Sequence, residues 1–376
     1  MQLLNSLKAK ISRNFINTIG WKTPRKIVVF ESDDWGSIRM PDRDVYEELA
    51  TKGVINPTDP YAKYDSLERE EDVNRLLSTL TEFKDSNGNP PVFTLNYIMA
   101  NPDFEKIKQS GYETYFYEDF RKTYHRYPGC FSSFELIQQG IDRGVFFPQF
   151  HGREHVHINR WLQYLKQGEK KSLEAFKLNT FFFKPNRSIN GGKTMFASFD
   201  KDDGHAIEEE IVKEGLAIFK DIFGIESLSF IAPNYIWDHS LEDVVDKYGV
   251  KYLQGTKTQN IPNPGNKGYK KNLRFTGRKS SSGLINIVRN CFFEPTGFDK
   301  KRVVESCVNQ ISNSFFWNRP AVISSHRLNF MGGIYPENRE DNLQLLLELL
   351  ENIVDKWPEV EFLTTAELGR IIEDDL

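Results

Sequence analysis

Cysteine is scarce in this chain of 376 residues. Cys130, Cys291 and Cys307 form an odd, scattered set without a CxxC pair. That excludes a disulfide framework and a thiolate zinc site, and it fits a reducing compartment. An excess of one charge is lacking too. The 49 basic and 53 acidic residues leave a net charge of −4, without the basic footprint that nucleic-acid binding requires. No apolar run reaches the length of a transmembrane helix, and charge enters the first ten residues too early for a signal-peptide core. These absences predict a cytoplasmic protein, with neither nucleic acid nor a membrane span among its partners. G-x-G-x-x-G and Walker loops are also missing, so dinucleotide and P-loop binding have no support. Nothing in the sequence fixes an oligomeric state.

Apolar material is plentiful by contrast: 39% of residues are hydrophobic and 13% aromatic, with 29 Phe and 15 Tyr. That is enough to fill one large barrel or two ordinary domains. Short β-branched and aromatic runs alternate with helical periodicity. Strands are expected over Ile27–Phe30, Val92–Leu95, Gly144–Phe150, Ser227–Ala232, Val250–Leu253, Leu284–Phe293, Ala321–Ser325 and Val360–Thr364. Helices are expected over Asp44–Lys52, Glu68–Phe83, Ser132–Arg143, Ala206–Phe223, Leu241–Tyr248, Lys300–Phe315 and Asn338–Trp357. Such alternation means parallel strands joined by right-handed crossovers. It predicts an α/β fold, an irregular (β/α) barrel of seven or eight units; a doubly wound open sheet is the alternative. The barrel domain should run over 21–376, with loop insertions near 111–130, 171–204 and 256–283. Ahead of it, Leu3, Leu7, Ile11 and Phe15 recur every four residues. They predict an amphipathic helix within 1–20, closing the barrel from below or lying on a membrane surface.

Three groups of polar residues fall where predicted strands end, the place at which α/β sheets and barrels collect catalytic groups. Asp33 and Asp34 follow the run Ile27-Val28-Val29-Phe30, and two adjacent carboxylates in a cleft call for a cation or a shared proton. His151 and His155 stand at i and i+4 after the strand ending at Phe150, a spacing that puts both imidazoles on one helical face, close enough for one ion. His157 should point away, as an outer or surface residue. His326 ends the strand Ala321–Ser325. Singly, each has a bland reading: an acidic loop, a helix start, a structural histidine. Their common placement argues for one site.

In their order these motifs resemble those of the polysaccharide deacetylases, carbohydrate esterase family 4. Ser32-Asp33-Asp34, His151 to His155 and Ile323-Ser324-Ser325-His326 match the family's first, second and last motifs. Phe230 to Tyr235 stands at its Arg-x-Pro motif, and Phe362-Leu363-Thr364 with Glu367 at its closing strand. The resemblance covers residues 26 to 372. It implies that Asp34, His151 and His155 hold a divalent metal, most simply Zn2+, with a position left open for water. It further implies Asp33 as catalytic base, His326 as general acid, and the backbone N–H of Asn234 as an oxyanion donor beside the metal. The reaction implied is hydrolytic removal of an acetyl group from an acetylated sugar or polysaccharide. Tyr235, Trp237 and Trp35 are candidates for stacking on the sugar, and equally candidates for the core.

The chain departs from that pattern twice. Trp35 separates the Asp pair from Gly36, where the family has Asp-Asp-Gly. Ile231 stands where the family's base-orienting arginine belongs, leaving Arg153, Arg289 and Arg327 as arginines at other strand ends able to replace it. Two further readings compete: a metal-independent glycoside hydrolase using Asp33 with Glu294 or Asp238, and a carbohydrate-binding protein with an impaired site.

Overall fold

The computed structural model describes residues 16–185, 193–200, 205–263, 268–297 and 299–376. Leu3, Leu7, Ile11 and Phe15, on which the N-terminal amphipathic helix was expected, lie outside the described residues.

The sheet begins where the longest β-branched run predicts. Strand β1, Lys26–Trp35, is buried at every position after Lys26, as a strand covered on both faces must be. Eight more strands join it: β2 Phe93–Ile98, β3 Phe146–Gly152, β4 Ser229–Phe230, β5 Tyr252–Gly255, β6 Ile285–Val288, β7 Cys291–Phe292, β8 Ala321–His326 and β9 Val360–Phe362. The spatial order is β6-β5-β4-β3-β2-β1-β8-β7, with β9 added at the start of β1. Every pairing within this sheet is parallel, and the connections carry the expected helices. The architecture is an irregular, incompletely hydrogen-bonded (β/α) barrel.

The incompleteness lies at one seam. A single strand expected over Leu284–Phe293 is two short ones, β6 and β7, which sit at opposite ends of the strand order. Arg289 and Asn290 cross from one edge to the other. The Arg289 N–H donates to the Gly255 carbonyl at 2.8 Å and the Asn290 N–H to the Val322 carbonyl at 3.1 Å. The barrel is thus closed by covalent chain rather than by strand pairing.

Alternation along β1 sorts its side chains. Val28 and Phe30 join the large core beneath the outer helices. Ile27 and Val29 join a smaller cluster with Ile285, Ile287 and Val322, which Leu368 and Ile372 of the last helix, Thr365–Asp374, plug from one end. That helix fits because Gly369 lies against the Tyr252 ring, where a Cβ would come within 2.6 Å. Further along the same inner row the sequence changes to Glu31 and Asp33, both buried. The barrel interior therefore runs from apolar at the helix-plugged end to charged at the other.

Two antiparallel pairs are added to this frame, Ala100–Pro102 with Tyr117–Asp119 and Thr258–Pro262 with Tyr269–Leu273. Among the described residues no helix is long and apolar enough to cross a membrane.

Candidate metal centre and catalytic pocket

Asp33 and Asp34 project from the end of β1 in different directions because the strand is irregular there. Pairing with β2 shifts register between Ser32 and Trp35, and Asp34 takes a left-handed backbone conformation, φ 76°. A bulge of this kind bends a strand and re-aims a side chain. It also accommodates the residue that precedes Gly36. Trp35 turns into the core, fully buried, and its indole N–H donates to Ser32 Oγ at 3.0 Å. Trp35 does not line the cavity, which corrects its reading as a sugar-stacking residue: an aromatic one step beyond the bulge pairs back against β2 and packs on Tyr97.

His151 ends β3. The structure corrects the helical spacing expected for the pair, since residues 153–157 form a loop and the following helix, Ile158–Lys166, starts only beyond it. Three contacts shape that loop: the Met99 N–H to the Gly152 carbonyl at 3.1 Å, the Ala100 N–H to the Arg153 carbonyl at 2.6 Å, and Ser198 Oγ to the Glu154 carbonyl at 2.7 Å. His155 thereby folds back beside His151, with ring centroids 5.3 Å apart. His157 is a buried helix cap whose Nδ1 faces the Arg160 N–H, not a surface residue.

Asp34 Oδ1 lies 3.4 Å from His151 Nε2 and 3.2 Å from His155 Nε2. Metal bonds of 2.0–2.1 Å at tetrahedral angles would separate neighbouring ligand atoms by about 3.3 Å. All three residues are buried, and Asp34 Oδ1 has no hydrogen-bond donor, a costly state for a buried carboxylate oxygen unless a cation satisfies it. Ile231 takes part through its backbone: its carbonyl accepts from His151 Nδ1 at 2.8 Å. A carbonyl can only accept, so Nδ1 carries the proton and Nε2 keeps its lone pair for the ion. Burial outweighs the neighbouring carboxylate at His155 and lowers it to about 4, so the imidazole is neutral, as a ligand must be. This donor set fits a divalent cation.

Beside it, Asp33 has the arginine that Ile231 cannot provide. Arg289, projecting from the seam, donates from Nη1 and Nη2 to the two oxygens of Asp33 at 2.6 Å each, and from Nε to Glu31 at 2.5 Å. Arg153 is occupied by Glu154 and Glu214, and Arg327 by Asp65 and Glu68. Burial alone would raise the Asp33 carboxyl, but the Arg289 charge and hydrogen bonds, helped by His326, bring it down to about 2. His326 moves the other way. Burial disfavours its charge, yet Glu294, 2.6 Å from Nδ1, together with Asp33, pushes it up to about 9. Its Nε2 is 3.8 Å from Asp33 Oδ2.

These groups form the floor of a cavity of about 400 Å³, walled by Arg39, Asp59, Tyr61, Phe182, Phe196, Asn234 and Tyr235. Asn234 and Tyr235 sit there with φ of 58° and 57°. With Asp34, they make three of the six described non-glycine residues with positive φ; strain concentrated at one cleft marks a functional site. Trp237 is again a correction. It is buried beneath that turn, its indole N–H donates to Glu242 at 3.0 Å, and it does not reach the cavity. Asp238 caps the helix His239–Lys247. Sequence reasoning missed Arg39, Asp59, Tyr61, Phe182 and Phe196. Only Arg39, a cation between Ile38 and Met40, carried a local signal.

Neither a family model nor a curated protein sequence matches the chain. Solved structures do resemble it. A "probable Polysaccharide deacetylase" from Pseudomonas aeruginosa PAO1 aligns at 10% identity and TM-score 0.49, over 92% of this chain and 91% of that one. Puue allantoinase aligns at 11% identity and TM-score 0.45, over 93% and 91%. A family 4 carbohydrate esterase from Streptomyces lividans, in complex with acetate, aligns at 11% and 0.35, over 78% and 85%. At such identities and scores the likenesses do not specify a reaction.

Proposed function

We propose that the protein is a metal-dependent hydrolase that removes an acetyl group from an acetylated sugar or glycan. One observation carries this reading. Beside an Asp/His/His donor set, a carboxylate and an imidazole 3.8 Å apart have opposite charge states imposed on them by different partners. Titratable neighbours driven apart in this way make an acid–base pair. A divalent cation, Zn2+ being the simplest choice, would supply Lewis acidity and a more acidic water. Asp33, kept ionised by Arg289, takes the proton from the attacking water. His326, kept protonated by Glu294, delivers one to the departing amine or alkoxide. Asn234 lines the cavity, and its backbone N–H is the group assigned here to the oxyanion. Tyr235, Tyr61, Phe182 and Phe196 offer aromatic walls to a sugar ring and its acetyl methyl.

The competing readings are weaker. Neither Glu294 nor Asp238 lines the cavity: Glu294 stands behind His326 at 2.6 Å and Asp238 caps a helix, so glycoside cleavage lacks a second carboxylate facing the substrate beside Asp33. The impaired-site reading rested on Ile231, whose missing charge Arg289 replaces.

The test is acetate release from N-acetylglucosamine, its short oligomers and an O-acetylated sugar, by protein stripped with a chelator and then reloaded with Zn2+. Release that depends on the cation and disappears in Asp34→Ala supports the reading. Acetate absent from all three substrate classes overturns it, and so does reducing-sugar release that ignores the chelator.

A further inference from the structure

Arg39 is an arginine 4% exposed at the wall of the cavity, and none of the roles above uses it. Its Nη2 lies 3.2 Å from Asp34 Oδ2, and its Nε lies 3.0 Å from Asp65 Oδ2. The guanidinium carbon sits 4.9 Å from the Tyr61 ring centroid and 5.6 Å from that of Phe196, held between two aromatic faces. Asp65 is fully buried and makes no contact with the cavity floor. Its other oxygen accepts from Arg327 Nε at 2.9 Å. Arg327 also donates to Glu68 at 2.5 Å and to the Ser37 carbonyl, and Glu68 accepts the Gly36 N–H at 2.7 Å. Charges thus alternate from Asp34 through Arg39, Asp65 and Arg327 to Glu68, and return to the backbone two and three residues beyond Asp34.

We infer that Arg39 is a positioning residue for the cation, occupying Asp34 Oδ2 so that Oδ1 alone is offered beside the two imidazoles. The inference rests on the metal reading above and adds to it which oxygen ligates and what enforces the choice. Oδ1 is the oxygen within 3.4 Å of both Nε2 atoms, whereas Oδ2 is the one at ion-pair distance from the Arg39 guanidinium. With Arg39 removed, Oδ2 becomes free to chelate as well. Partners that orient a metal ligand typically contribute about 10- to 100-fold in affinity.

The experiment uses the full chain without metal. Zn2+ affinity is measured by competition with a chromophoric chelator, and the visible spectrum of the Co2+ form reports coordination. Arg39→Met and Asp65→Asn are each expected to weaken Zn2+ binding about 10- to 100-fold. Arg39→Met should also lower the Co2+ absorption intensity as a second carboxylate oxygen enters. Arg39→Lys keeps the charge but can bridge only one carboxylate, and it should lie between wild type and Arg39→Met. Affinity within twofold of wild type and an unchanged Co2+ spectrum in Arg39→Met overturn the inference. Should that variant not fold, Arg39→Lys decides, and unchanged affinity there overturns it equally. Wild type that binds neither ion removes the metal reading and this inference together; wild type that binds, with variants that bind alike, removes only this one.

Discussion

Replacing Glu294 with Gln separates protonation from every other property of the site. The substitution keeps the shape beside His326 Nδ1 and deletes the charge that holds the imidazole at about 9. Burial then acts against the charged form and only Asp33 and Asp34 still favour it, so the variant's pKa falls from the wild-type value toward the ordinary one near 6.5. At pH 8 a group of pKa about 9 is roughly nine-tenths protonated, and one of pKa about 6.5 roughly one-thirtieth, which predicts a loss in kcat/KM of up to about 30-fold. At pH 6 the same variant is still mostly protonated and keeps most of the wild-type rate. The assay is the pH profile of acetate release by the Zn2+-loaded protein, with the His326 titration followed in parallel by NMR. An alkaline limb near 9 in wild type and at clearly lower pH in Glu294→Gln is the expected pair. Stability should follow with the sign that a raised histidine pKa requires: the contribution is complete below about 6.5 and disappears as pH rises through about 9. A shift from 6.5 to about 9 corresponds to about 3 kcal/mol at most, and the side chain's 19% exposure reduces it. Identical wild-type and variant profiles, or an equal loss at pH 6 and pH 8, would refute the role given to His326.

Arg289→Met strips the buried Glu31 and Asp33 of their shared cation and should cost about 3–5 kcal/mol in urea unfolding; with Glu31→Gln added the loss should be smaller than the sum, because one orphaned charge is gone. Asp33→Asn should retain Zn2+ by metal analysis yet lower turnover about 10²- to 10⁴-fold, whereas His151→Ala should lose the metal itself. Because Trp35 is a core residue, Trp35→Ala should cost about 3–5 kcal/mol, while Trp35→Phe should leave KM unchanged; a raised KM in the second variant would return Trp35 to the substrate. Zn2+ at about 100 times its Kd should add about 2.7 kcal/mol to stability, seen as a higher Tm than that of the chelated protein.

The central strands were legible because they are short, largely apolar runs buried on both faces, and such runs show up without any partner in view. Strand-end residues were legible for the same reason: Asp33, Asp34, His151 and His326 stand next to these runs. What failed was local geometry. The i, i+4 spacing of His151 and His155 suits a helical face, while contacts from Met99, Ala100 and Ser198, remote in sequence, hold a loop. Trp35 and Trp237 are aromatics beside the site in sequence but turned away from it by a bulge at Asp34 and a left-handed turn at Asn234 and Tyr235; Asp and Asn tolerate that conformation but occur in many others, so they do not announce it. Arg289 could be named only as one of three arginines. Its selection depends on the break between β6 and β7, and the sequence there reads as one continuous strand.

That break has a consequence for how the chain reaches its native state. β1 must find β8 nearly three hundred positions later, and until the last edges meet, Glu31 and Asp33 have no counter-ion in the barrel interior. A half-rolled sheet would bury two bare anions, which is more costly than leaving them in water. Rolling up and arming the proton acceptor are therefore one event, and a loosened barrel disarms itself before it has visibly come apart.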